Sequence, residues 1–121
     1  MVLNVASEDS HVLLTGDLEG AGLNRLISSG RMPARGTVDV LQVPHHGSLS
    51  AAPEVWARLI RPCVAIVSCG HMVRSEELKR RFASNCQLYL TSRSGAVVTE
   101  LSKGGLTDCD VTVQGNSWKD R

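Results

Sequence analysis

The sequence predicts a mixed α/β sheet with helices mainly on one face. Three observations carry this reading. From residue 38 onward, short apolar runs alternate with helix-like segments in the order β-α-β-α-β, the signature of strands joined by helical crossovers. Val64-Ala65-Ile66-Val67 is apolar without alternation, as expected of a parallel strand covered on both faces. The first fifteen residues read as a hairpin, which adds an antiparallel pair and makes the sheet mixed.

The elements follow in order. Residues 1–6 form a strand, Ser7-Glu8-Asp9-Ser10 a turn, and residues 11–15 the returning strand. Gly20-Ala21-Gly22 opens a short helix over residues 23–29, with Leu23, Leu26 and Ile27 at the i, i+3, i+4 spacing of one buried face. Residues 31–36, with Pro33 and Gly36, form a loop before a strand over 38–43. Small polar residues fill 48–52, and Pro53 suits the first turn of a helix running to Ile60. Val55, Leu59 and Ile60 give that helix its apolar face, and Pro62 ends it.

After the strand at 64–67, Ser75 is the expected cap of a helix with Glu76 and Glu77 early and Lys79, Arg80 and Arg81 late, an order that complements the helix dipole. A strand over 87–90 turns at 91–95 into another over 96–101, residues 109–114 add an edge strand, and 116–121 are a tail. Right-handed crossovers set both later helices on one face of the sheet. The other face stays apolar and needs a partner layer, for which the helix at 23–29 is too short.

At 121 residues the chain fits one domain, able to bury roughly two-thirds of its unfolded surface. A net charge of +1 argues against a strong overall electrostatic footprint for nucleic acid. No apolar run approaches the ~18 residues of a membrane span, and the N-terminus lacks the pattern of a signal peptide. Cys63, Cys69, Cys86 and Cys109 show no C-x-x-C spacing, which disfavours zinc-ribbon chemistry and suits reduced thiols.

Two short segments carry chemical information. Asp17 follows Gly16 at the end of an apolar run. A carboxylate there could bridge metal ions, although Thr-Gly-Asp also reads as an ordinary turn. Pro44-His45-His46-Gly47-Ser48 ends the strand at 38–43, and neutral imidazole is a good ligand for zinc-like ions. Successive strand residues point to opposite faces, so both histidines reach one pocket only if Gly47 allows a bend. One imidazole would then be a ligand and the other a substrate contact or proton donor. The alternative is a pair of polar loop residues.

The stretches Val12-Leu-Leu-Thr-Gly-Asp-Leu-Glu19 and Val38-Asp-Val-Leu-Gln-Val-Pro-His-His-Gly-Ser48 resemble the metallo-β-lactamase-fold domain of the competence protein ComEC and its stand-alone relatives. The likeness continues through Arg61-Pro-Cys-Val-Ala-Ile-Val-Ser68 and Tyr89-Leu-Thr-Ser-Arg-Ser-Gly-Ala96, covering roughly residues 2 to 101. It implies half of an αββα sandwich, a single partial domain over residues 1–115, and hydrolysis of phosphodiesters at a binuclear site. By the same resemblance Asp17 and His45 are metal positions, His46 is a catalytic and substrate-side residue, and Ser48 and His71 are substrate-side candidates. Ser68-Cys69-Gly70-His71-Met72 lacks the family's Gly-His-Pro, so an exposed loop histidine is the plainer reading of His71. His11 reads as a surface residue of the hairpin, and Lys79-Arg80-Arg81 as a solvated helix end.

Such sites take most of their ligands from an upstream His-x-His-x-Asp-His cluster, which this chain lacks. The expectation is therefore a divalent metal, Zn or Mn, in the complete domain, and weak or no metal in this chain alone. Its partner would be a missing N-terminal half-domain or a second copy through the sheet face, with nucleic acid as a candidate substrate. The chain is expected to be soluble, cytoplasmic if expressed alone and membrane-associated within a ComEC-type parent. The competing expectation is a non-catalytic interaction or structural module derived from the same fold.

Overall fold

Strand β1 (Leu3–Ser7) pairs antiparallel with β2 (Ser10–Leu14), Ser7 opposite Ser10, so the hairpin closes over Glu8-Asp9 alone. The computed structural model describes residues 1–71, 74–82, 86–101 and 110–113. Strands β3 (Val40–Gln42), β4 (Val64–Val67) and β5 (Gln87–Leu90) continue the sheet in the order β1-β2-β3-β4-β5, each parallel to its predecessor from β2 on. The fold is thus α/β with a mixed sheet. Helices α1 (Gly20–Ser28), α2 (Pro53–Ile60) and α3 (Ser75–Arg81) form the crossovers.

Every crossover steps the same way across the sheet, so right-handed connections put all three helices on one face. The core agrees. Leu13, Leu41, Val43, Ala65, Val67 and Leu90 from one sheet face pack with Leu23, Trp56, Ile60, Leu78 and Phe82 from the helical layer. Leu23 therefore belongs to this layer. Trp56 is the largest fully buried side chain. Reading α2 from aliphatics alone put Val55 and Leu59 on its core face, but both are only half-buried, and Trp56 with Ile60 faces the core.

The expectation of an uncovered apolar face needs relocating. On the far side of the sheet, Val40 and Val64 are buried, while Leu3, Val5 and Leu14 are 49%, 48% and 39% exposed. Exposure falls on the hairpin β1–β2, not on β3 and β4. The chain after β5 makes a one-turn helix α4 (Thr91–Ser94), and β6 (Val97–Glu100) pairs antiparallel with β7 (Asp110–Val113) in a separate two-stranded sheet. The edge strand expected over 109–114 adds to that small sheet instead of the large one. Cys109, Gln114 and the tail at 116–121 lie outside the described residues. Among the described residues no helix is long and apolar enough to cross a membrane.

Two local readings change with the structure. Ser75 is the first helical residue of α3, with Arg74 at the cap position, and the Ser75 hydroxyl accepts from the Arg93 guanidinium at 2.9 Å instead of capping. His11 is half-buried, not a surface residue, and its Nδ1 is enclosed without a hydrogen-bond partner.

Asp39 lies beneath the start of β3, fully buried. Its Oδ2 accepts from the His11 backbone N–H, its own N–H donates to the His11 carbonyl, and its carbonyl accepts from Val64 N–H. One residue thus ties β2, β3 and β4 together where the ladders begin. Truncating it strands the His11 N–H in the interior, so Asp39→Ala is expected to lower unfolding free energy by about 1–3 kcal/mol in a denaturant titration. Trp56→Ala, which empties the middle of the helical layer, is expected to cost about 3–5 kcal/mol.

Cys63, Cys69 and Cys86 are free thiols. Burial pushes the Cys86 thiol up to about 12, against the backbone hydrogen bond from Ala65 that lowers it. Burial, then the Asp39 charge, also raises Cys63. Both ionise less readily in the folded chain, so above about pH 9 the unfolded chain binds fewer protons than the native one. Their contribution is complete below that pH and is lost as pH rises toward 12. Stability is therefore expected to fall over this window in urea titrations, and Cys63→Ala with Cys86→Ala should flatten the decline.

Candidate functional site

Parallel strands deliver their following loops to one edge of the sheet, where ligands of open α/β sheets bind. Here the loops after β2, β3 and β4 meet. Thr15, buried at the end of β2, donates its hydroxyl to the Gln42 carbonyl. Gly16 follows at φ 57°, and its carbonyl accepts from the His45 N–H at 2.8 Å. This bond places the segment carrying Asp17 and Glu19 against the one carrying His45 and His46.

The chain does not stay extended through Pro44–Gly47. It coils into a 3₁₀-like turn with His45 at φ 50°, ψ 47°, His46 at φ 54°, ψ 27° and Gly47 at φ 77°. Three successive left-handed residues break the strand alternation, so both imidazoles reach the same edge, with ring centroids 6.3 Å apart. L-residues adopt this conformation at a cost of about 1–2 kcal/mol each. Strain of that kind, at adjacent histidines beside a cavity, points to a functional constraint.

Each histidine faces its own carboxylate. His46 Nε2 lies 3.6 Å from Asp17 Oδ1, and its Nδ1 is 2.8 Å from the Ser68 carbonyl. A carbonyl only accepts, so Nδ1 carries the hydrogen, and a neutral ring would turn its Nε2 lone pair toward the Asp17 carboxylate. His45 Nδ1 is buried and lies 3.0 Å from Glu19 Oε1, out of line for a good hydrogen bond. The resemblance paired Asp17 with His45 as metal positions; the geometry sets Asp17 beside His46 and Glu19 beside His45.

A cavity of about 550 Å³ opens next to the histidines, lined by His45, His46, Ser48, Cys69, Gly70 and Arg74 among others. Its far wall is held firmly. Thr91 Oγ1 accepts from Cys69 N–H at 3.0 Å and donates back to the Cys69 carbonyl at 3.3 Å. That clamp also fixes Ser68, the partner of His46. Ser48 lines the cavity while its Oγ accepts from Ser50 N–H at 3.4 Å. His71 is exposed and lies outside the cavity lining.

Two residues of this site were not singled out from the sequence. Glu19 stands in the same run as Asp17, two positions on, and only the turn at Gly16 brings it to His45. Arg74 is a cation on the cavity wall, with Glu77 at 3.8 Å. Its signal was position, between β4 and α3 at the edge where the loops gather.

Among the described residues no three His, Cys, Asp or Glu side chains converge closely enough to hold a metal ion. The donors pair two by two.

The strain can be measured. His46→Gly relieves a left-handed residue and removes a solvent-exposed carboxylate contact and the exposed Nδ1 hydrogen bond to Ser68, so its stability is expected to stay within about 1 kcal/mol of the parent. Gly47→Val, which forces a branched side chain into φ 77°, should cost about 1–3 kcal/mol. A denaturant series distinguishes the two; a large loss in His46→Gly would mean the ring is structural.

No protein-family profile and no solved structure matches the chain. Over 69 residues, 57% of its length, it is 42% identical to Recombination protein 2 of Haemophilus influenzae, spanning 8% of that protein. Over 110 residues, 87% of its length, it is 30% identical to Competence protein ComA of Neisseria gonorrhoeae, spanning 16%. The resemblance to competence proteins read from the motifs holds at this level: the chain is similar to a small part of two much longer proteins, one named for competence and one for recombination.

Proposed function

We propose that this chain is the C-terminal half of a ComEC-type metallo-β-lactamase domain, contributing to phosphodiester hydrolysis linked to DNA uptake. The observation that carries the reading is the strained left-handed turn that gathers His45 and His46 against Glu19 and Asp17 beside an open cavity. The likeness to proteins named for competence and recombination supports it.

In this reading the chain supplies part of a site. His46, with Nδ1 held on Ser68, presents Nε2 to take or give a proton at a reacting phosphate oxygen. Arg74 and Ser48 line the space where that phosphate would lie. Asp17 and His45 are the positions for a divalent metal, Zn or Mn, whose remaining ligands come from another segment or chain. The isolated chain is expected to be inactive, since among the described residues no three such donors converge.

A second reading, a non-catalytic interaction module, is favoured by one observation: Leu3, Val5 and Leu14 stand exposed on an edge hairpin. The two readings separate in one experiment. This chain replaces the aligned 110 residues of the gonococcal relative, and transformation is scored. The hydrolase reading expects Asp17→Ala and His45→Ala each to lower transformation at least ~10–100-fold, while the purified chain shows no metal-dependent cleavage of DNA. Unchanged transformation after Asp17, His45 and His46 are all replaced by Ala favours the interaction module.

A further inference from the structure

The edge of the sheet opposite the histidines carries its own concentration of charge. There the helices end and the parallel strands begin, and a cavity of about 180 Å³ is lined by Arg35, Arg58, Arg61 and Arg81 together with Glu54, Pro62, Phe82 and Cys86. Four guanidiniums face one carboxylate. Arg81 is already ion-paired, 2.9 Å from Glu54 and 2.8 Å from Glu77, and its hydrogen bond holds Glu77 below the usual carboxylate range. Glu54 is therefore spent on Arg81. Arg35, Arg58 and Arg61 have no ion pair among the described residues.

The dipole of α2 accounts for one basic residue in its last turn, and Arg58 fills that role. It does not account for Arg35, which comes from the loop before β3. Nor does it account for Arg61, which occupies the left-handed position after α2 at φ 51°, ψ 59°, where helices ordinarily use glycine. A long cationic side chain stands at a strained backbone position and lines one small cavity with two others. All three are exposed, so water screens their mutual repulsion, and an anion between them would relieve what remains. Guanidinium forks match the oxygens of phosphate in pairs, as ammonium groups do not.

We infer that Arg35, Arg58 and Arg61 form a phosphate-binding pocket, separate from the His45–His46 edge and independent of whether that edge is hydrolytic. The phosphate could be free or part of a nucleic-acid backbone, and the pocket is too small to enclose a base as well. Calorimetry of the whole chain with inorganic phosphate, and with a twelve-nucleotide oligothymidylate at several salt concentrations, separates the two sources. Binding of either probe is expected, weakened at least tenfold in Arg58→Gln/Arg61→Gln and unaffected by Asp17→Ala. If the strand is the ligand, losing two phosphate contacts should also reduce the slope of log affinity against log salt by about 1.4.

Binding of phosphate without the oligonucleotide assigns the pocket to a free phosphate group. Arg35→Gln, in an exposed loop, serves where the α2 double variant fails to fold. Absence of binding by both probes, or binding that survives the arginine substitutions, overturns the inference.

Discussion

The hydrogen bond from His45 N–H to the Gly16 carbonyl organises the histidine edge of this molecule. It forms just beyond the last paired residues of β2 and β3, where the ladder has ended and the two chains would otherwise diverge. Gln42 supports it from within the sheet, its carbonyl accepting from Thr15 Oγ1 and its side-chain oxygen from Gly16 N–H at 3.3 Å. With the loops joined there, Asp17 and Glu19 have nowhere to go but alongside the two imidazoles. The bond also explains the left-handed turn. The His45 N–H must point back at Gly16 while Ser48 N–H reaches the His45 carbonyl at 2.9 Å, and only a tight coil satisfies both.

Where the sequence speaks through hard local constraints, it is legible to the residue. Pro53 and Pro62 bracket α2, and the apolar block at 64–67 is β4 with the same limits. Side-chain identity read through periodicity was less secure. The aliphatics of α2 drew attention from Trp56, because a lone aromatic in a helix does not announce its face. Ser75 next to two glutamates looks like a cap, yet a longer-range bond to Arg93 takes its hydroxyl. The site was half visible. Asp17, His45 and His46 stand out by type and position. Their pairing did not, because it follows from backbone dihedrals at His45 and His46 that alternation along a strand excludes. Glu19 and Arg74 depend on which loops share an edge, a property of strand order that no local window contains.

The charge of the folded chain is sorted along the strand direction. Net charge of +1 conceals this. At one edge carboxylates and imidazoles meet; at the other, three arginines with no carboxylate partner among the described residues line a cavity. The helix dipoles contribute to the sorting, since basic residues favour helix C-termini, and α2 and α3 both end at the arginine edge. Overall composition argued against a strong electrostatic footprint and left room for a local one. Short parallel strands place the two edges about 13 Å apart across four residues of β4.

The histidine edge gathers its polar groups in pairs. His46 donates its Nδ1 hydrogen to the Ser68 carbonyl, and its Nε2 lies 3.6 Å from Asp17 Oδ1. His45 repeats the theme with Glu19. Water screens such pairs at an exposed edge. Strained histidines, paired carboxylates and an open cavity thus meet at one edge of the sheet, in a chain that is similar to a small part of two longer proteins.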